Sequence, residues 1–179
     1  MIRTADAGRT RQALRAATME SHQRVDDLFS HFSLASAPDY RAFLRAHARA
    51  IAALEPAAQP DSPRLALMAQ DLAALGDAMP APLPMPSTGG DGFRWGLLYA
   101  LEGSRLGGAM LARQVADDLP RAYLSAVHGK GGWLAFQHQL DAAAAQGDAT
   151  WLDDAIAGAQ TAFAVFEAGA RAEREVACD

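Results

Sequence analysis

The chain has 179 residues, the length of one domain, with half of them apolar, about a fifth charged and a formal charge of −5. That acidic balance excludes the basic face of a nucleic-acid binder, and a single cysteine, Cys178, excludes a disulfide framework or a cysteine-based zinc site. No stretch approaches the roughly 20 apolar residues that cross a bilayer, and Met1 to Thr10 has no signal-peptide or anchor character, so a soluble protein of the reducing cytoplasm is expected.

Alanine is abundant and β-branched residues are few, which favours helix nearly everywhere. A first helix is expected from about Arg9 to His31, with Leu14, Thr18, Val25, Leu28 and Phe32 recurring at three- and four-residue steps. Pro38 suits the first turn of a second helix, which carries Tyr40, Phe43, Leu44, His47, Ile51 and Leu54 and should stop before Pro56. A third begins near Asp61-Ser62-Pro63, carries Leu65, Met68, Leu72 and Leu75, and ends at Gly76. Met79 to Asp91 holds several prolines and glycines and reads as an irregular crossover loop. A glycine-rich helix follows from about Asp91 to Asp118. Pro120 and Gly129 to Gly132 punctuate the next stretch, Trp133 to Ala145 reads as another helix, and Asp148 can cap a last one from Trp151 to about Glu175. The expected architecture is an all-α bundle in one domain spanning 1–179, with 1–9 and 176–179 as flexible ends.

Two helices carry unusual patterns. In the first, Arg15, His22 and Phe29 are seven residues apart and so fall within about 20° of one another around the axis. Neutral imidazole is a good iron ligand, and a nearby cation could pair with an anionic edge of the same ligand. A histidine packed against a neighbouring helix is the plainer explanation. In the glycine-rich helix, Gly96, Ala100, Gly103 and Gly107 make a stripe almost free of side chains, and Gly108 adds a further weak point. Each interior glycine costs about 1 kcal/mol relative to alanine, so the stripe needs a tertiary reason. Either another helix approaches closely, or a flat ligand lies against the backbone. Taken together, an axial base on one helix and a bare face on another frame a slot for a planar metallated macrocycle.

The residues that make these patterns also resemble a known family. Leu14-Arg15-Ala16-Ala17-Thr18-Met19-Glu20-Ser21-His22 resembles the proximal helix of haem oxygenases. Leu98-Tyr99-Ala100-Leu101-Glu102-Gly103-Ser104-Arg105-Leu106-Gly107-Gly108 is similar to their distal helix in its bacterial form, and Gly158-Ala159-Gln160-Thr161-Ala162-Phe163 to a stretch of their last helix. The three matches lie in family order and span Leu14 to about Arg171. The resemblance implies a haem slot between the first and the glycine-rich helices, with His22 as the proximal iron ligand. Gly103 and Gly107 would be the distal glycines, Arg15 the cation for a propionate, and Phe163 a ring packed near the haem. Thr18, Tyr99 and Gly108 complete the expected contacts. Ser104 stands where mammalian members place an aspartate, and it and backbone carbonyls would hold water instead. Lys130 or His138 would clamp the second propionate. The implied activity is cleavage of haem to biliverdin, ferrous iron and carbon monoxide, with O2 and electrons from a reductase or ferredoxin. Haem would be both cofactor and substrate. A non-catalytic haem carrier or sensor on the same fold is the alternative. The histidines His31, His47, His128 and His138 are expected at the surface or in packing roles, and Glu102 in a structural ion pair.

Overall fold

The computed structural model describes residues 8–176, and among these residues it holds helices and no strand. Seven helices follow in order: α1 (Arg9–Phe29), α2 (Ala37–Ala58), α3 (Leu65–Ala74), α4 (Asp91–Ala112), α5 (Ala122–Ser125), α6 (Gly132–Gln146) and α7 (Trp151–Val176). Cys178 and most of the two expected flexible ends lie outside the described residues; Arg9 already belongs to α1.

Helix α7 is the centre on which α4, α1 and α2 pack. Small residues permit the closest of these approaches. A β-carbon at Gly96 would lie 1.9 Å from the Ala155 carbonyl oxygen of α7, and one at Gly158 would lie 2.0 Å from the carbonyl of Phe93 in α4. Gly169 meets the Ala46 carbonyl of α2 in the same way, at 2.5 Å. The core filling these contacts includes Tyr40, Phe43, Leu44, Ile51 and Leu54 of α2, Met68 and Leu72 of α3, and Leu97 and Leu101 of α4. On α2, Arg45 and Arg49 both grip the buried Glu173 of α7, at 3.0 and 2.6 Å.

Three helix ends and one added helix differ from the sequence expectation. Helix α1 ends at Phe29, where the Ser30 amide bonds to Asp26. Helix α2 runs through Pro56 to Ala58. A proline removes one donor, and here the chain regains order one turn later when Gln59, in a left-handed conformation, bonds back to Glu55. Helix α4 stops at Ala112, six residues early, and the freed chain turns at Pro120 into the short α5, which the pattern did not announce. Two amides at the start of α5, those of Ala122 and Tyr123, bond to the buried carboxylate of Asp71 in α3. A tertiary partner, which no local pattern encodes, therefore makes this turn.

Candidate active site

A cleft of about 700 Å³ opens between α1, α4 and α6, within the ~300–1,000 Å³ range usual for small-molecule sites. From α1 it is lined by Arg11, Arg15, Thr18, Met19, His22 and Asp26; from α4 by Tyr99 and Leu106; from α6 by Trp133 and Gln137. The expected face of α1 is thus assembled in its Arg15, Thr18 and His22 portion. Phe29 instead turns inward, with its ring 4.2 Å from that of His47. A second, larger cleft between α4 and α6, with Asp61, Asp91, Arg94 and Asp148 in its walls, takes no residue from α1 and none of the expected site residues.

His22 is held at its outer edge. Its Nδ1 lies 3.0 Å from the Oδ2 of Asp26, one turn along α1, and its ring meets Phe163 of α7 edge-on at 5.7 Å. Both partners of the Asp26 pair are about two-thirds exposed, so the pair contributes little to stability. Its chemical effect is on the imidazole: a carboxylate at Nδ1 keeps the proton there and leaves Nε2 as the ligating nitrogen. Nε2 has no partner among the described residues. Asp26 was missed in the sequence, although a carboxylate four residues beyond the histidine is the signal that would have found it.

Around His22 the cleft divides into apolar walls and a charged rim. Met19 and Leu106, on opposite walls, are 66% and 52% exposed, an unusual placement for large apolar side chains on facing surfaces. Arg15 is exposed and forms no ion pair among the described residues, whereas Arg11 is bound to Asp141 of α6, its Nε at 2.8 Å. Deeper in, the Tyr99 hydroxyl lies beside Thr18, whose own hydroxyl donates to the Leu14 carbonyl at 2.8 Å. Burial pushes the Tyr99 phenol above its ordinary pKa, against the opposing pulls of Thr18 and the Arg15 charge.

The glycine stripe of α4 serves two purposes. Gly96 is a packing glycine against α7. Gly103 shares the helix face of Tyr99 and Leu106 and Gly107 lies at its flank, neither among the residues lining the cleft; a β-carbon at Gly107 would meet nothing within 4 Å, while one at Gly103 would meet only the edge of Trp133 at 3.8 Å. No neighbour plugs this part of the stripe.

Four expectations need correction. Ser104 does not line the cleft: it is exposed at the flank of α4, where its hydroxyl donates to the Leu101 carbonyl and accepts from Arg64, both at 2.7 Å. Its hydrogen-bonding capacity is spent on these two partners. Gly108 is buried beneath α5, where a β-carbon would lie 2.6 Å from the Leu124 carbonyl, so it too is a packing glycine. Lys130 and His138 are exposed and outside the cleft walls, which leaves Arg15, with the tied Arg11, as the cations at its rim. Phe163, expected near the ligand, does not line the cleft; it lies in the core behind His22. Among the other histidines, His31 is exposed, His47 packs among aromatic rings and His128 bonds to the Glu102 backbone; Glu102 pairs with Arg105 at 2.9 Å.

No family model matches the sequence. The chain is 36% identical over 121 residues to a haem oxygenase of Xanthomonas campestris pv. campestris (strain 8004), a match covering 62% of this chain and 68% of that relative. In structure it is similar to the NO- and CO-bound haem oxygenase of Neisseria meningitidis, with a TM-score of 0.77 and 26% identity over 94% of this chain and 91% of the other. Identity along one relative and superposition along the other coincide with a cleft built from a histidine-bearing helix and a glycine-bearing one, and the chain belongs to the haem oxygenase family.

Proposed function

We propose that this protein is a haem oxygenase that opens its haem substrate with O2 and external electrons, releasing biliverdin, ferrous iron and carbon monoxide. The observation that carries the reading is the placement of His22 on one wall of a cleft whose other wall is α4, at Tyr99 and Leu106, the helix that also carries the uncovered Gly103 and Gly107. The residues present fit such a substrate. His22 offers Nε2 to the iron while Asp26 orients the ring; Arg15 offers a charge to a propionate; Met19, Leu106 and Trp133 offer apolar surface to the two faces of a macrocycle. Haem, when bound, supplies the iron on which O2 is activated. The chain's own contribution is orientation and exclusion. A helix without side chains at Gly103 and Gly107 leaves space for a diatomic ligand, and the half-buried Tyr99 beside the buried Thr18 bounds the cleft deeper in.

No nucleotide-binding glycine motif occurs in the sequence, so electrons come from a separate reductase or ferredoxin in the cytoplasm. Among the described residues no helix is long and apolar enough to cross a membrane.

Haemin titration of the wild type and of His22→Ala tests the reading. The wild type is expected to give the Soret band of a histidine-ligated haem, and His22→Ala a clearly altered spectrum. Ascorbate or a reductase added to the wild-type complex should then bleach the Soret band as biliverdin absorption grows. Identical spectra in the two proteins would remove His22 from the site, and a haem spectrum that persists under reductant and O2 would make the protein a carrier or sensor.

A further inference from the structure

Behind α4 lies a buried guanidinium. Arg64, at the start of α3, is 4% exposed and forms no ion pair among the described residues. Its guanidinium sits 5.0 Å over the Tyr123 ring and donates to the Leu101 carbonyl at 2.9 Å and to the Ser104 hydroxyl at 2.7 Å, while its Nε is buried without a partner. Burying a cation against neutral oxygens is costly, and an apolar residue of similar size would ordinarily serve packing better. The cost implies that the position of those two acceptors matters.

Both acceptors lie on α4. At 100° per residue, Leu101, Arg105 and Gly108 face the core and are buried, Tyr99, Gly103 and Leu106 fall on the opposite side, toward the cleft, and Ser104 and Gly107 lie along the flank between them. The arginine therefore grips the helix from behind the glycine segment. The next carbonyl along, that of Glu102, takes a second side-chain donor, the Nε2 of His128 at 3.0 Å. Arg105 completes the lacing by donating to the carbonyls of Ser62 and Ala126. Arg64 is itself anchored: its amide and that of Leu65 both donate to the buried Glu55 of α2, at 2.6 and 3.2 Å. A continuous chain of hydrogen bonds thus runs from α2 through the start of α3 to the back of the glycine segment. Gly103 and Gly107 have no side chains with which to hold their own places, so the segment is held through Ser104, Arg105 and its carbonyls.

We propose that Arg64 is a positioning residue that sets the height of the Gly103–Gly107 segment above the cleft, and with it the space left for a small ligand on the iron. His128 supports the same segment from its flank. The proposal deepens the haem oxygenase reading and rests on it.

Two measurements on Arg64→Met, Arg64→Lys and Ser104→Ala test it. Amide hydrogen exchange of the haem-free chain should quicken about ten-fold at 103–108 in Arg64→Met, the loss expected for hydrogen bonds from a charged donor, while α7 keeps its protection. Arg64→Lys should restore most of it. In the ferrous carbon monoxide complex, Arg64→Met should shift the C–O stretching frequency and speed CO release several-fold, with haem affinity within about three-fold of wild type. Should Arg64→Met not fold, Ser104→Ala, which removes one acceptor and keeps the arginine, carries the test and should change both readouts in the same direction by less. Unchanged exchange at 103–108 overturns the proposal. So does altered exchange with a wild-type CO spectrum and release rate, for then Arg64 is merely structural. A wild type without a Soret band is a different failure, that of the haem reading, and is seen before any variant is made.

Discussion

At the scale of single residues, the informative feature is the company His22 keeps. The imidazole was legible in the sequence from its place on a face shared with Arg15; Asp26 was not, because a carboxylate one turn along a helix is a commonplace surface pairing. In the folded chain it touches Nδ1 at 3.0 Å, and that makes it electronically relevant to whatever binds Nε2. A carboxylate partner raises the basicity of the imidazole and so favours the ferric ion over the ferrous. Asp26→Asn should therefore raise the reduction potential of the bound haem while leaving the Soret band of the ferric complex in place, as read by spectroelectrochemical titration. A potential equal to wild type would mean that the pair is an incidental surface contact. Ser104 teaches the reverse lesson. Its position beside Gly103 invited a role in the cleft, but helical geometry sends neighbouring residues to faces about 100° apart, and Ser104 sits on the flank of α4 with its hydroxyl bonded to Leu101 and Arg64.

At the scale of elements, α4 contains glycines of opposite character, and substitution should separate them. Gly96→Ala sets a methyl group against the Ala155 carbonyl, at 1.9 Å before any adjustment, and should lower stability by about 1–3 kcal/mol as α4 and α7 are forced apart. Gly103→Ala and Gly107→Ala meet open space or only the Trp133 edge, so each should raise the stability of the haem-free protein, by up to about 1 kcal/mol through helix propensity. The same two changes should slow haem cleavage, because the added methyl group enters the space that the bare face keeps free. Thermal unfolding and single-turnover assays on the three variants check the contrast. Destabilisation by all three would mean that the whole stripe is packing. The stripe itself was readable from spacing; its division between packing and cleft was not, since that depends on where α7 and α5 lie.

For the whole molecule, acid sensitivity should centre on His47. Its ring is enclosed by Phe29, Phe43, Tyr123 and Phe166, contributed by α1, α2, α5 and α7. Burial, helped by the Arg64 charge and opposed by the bond from Nδ1 to the Phe43 carbonyl, pushes its pKa down to about 4. An unfolded histidine titrates near 6.5, so between these values the unfolded chain holds a proton that the native protein does not. Stability should accordingly rise with pH from about 4 to 6.5 and level off above. The contribution of this group is roughly 3 kcal/mol when complete and is lost as the pH falls through the window. Urea titrations at several pH values check it: His47→Gln should flatten the slope between pH 4 and 6.5, and a slope equal to wild type would place the acid sensitivity elsewhere.

The amino-acid sequence by itself determined the helical class, the order of the long helices, and the presence of one histidine-bearing and one glycine-bearing segment. These follow from local propensity and from periodicities of three and four, which act within one helix and need no partner. Tertiary structure alone decided which glycines are covered, which face Ser104 presents, where α4 yields to α5 through Asp71, and how Arg64 reaches from α3 to the back of α4. Each of these depends on a contact between residues some tens of positions apart, and its energy exists only once the packed bundle brings the two together.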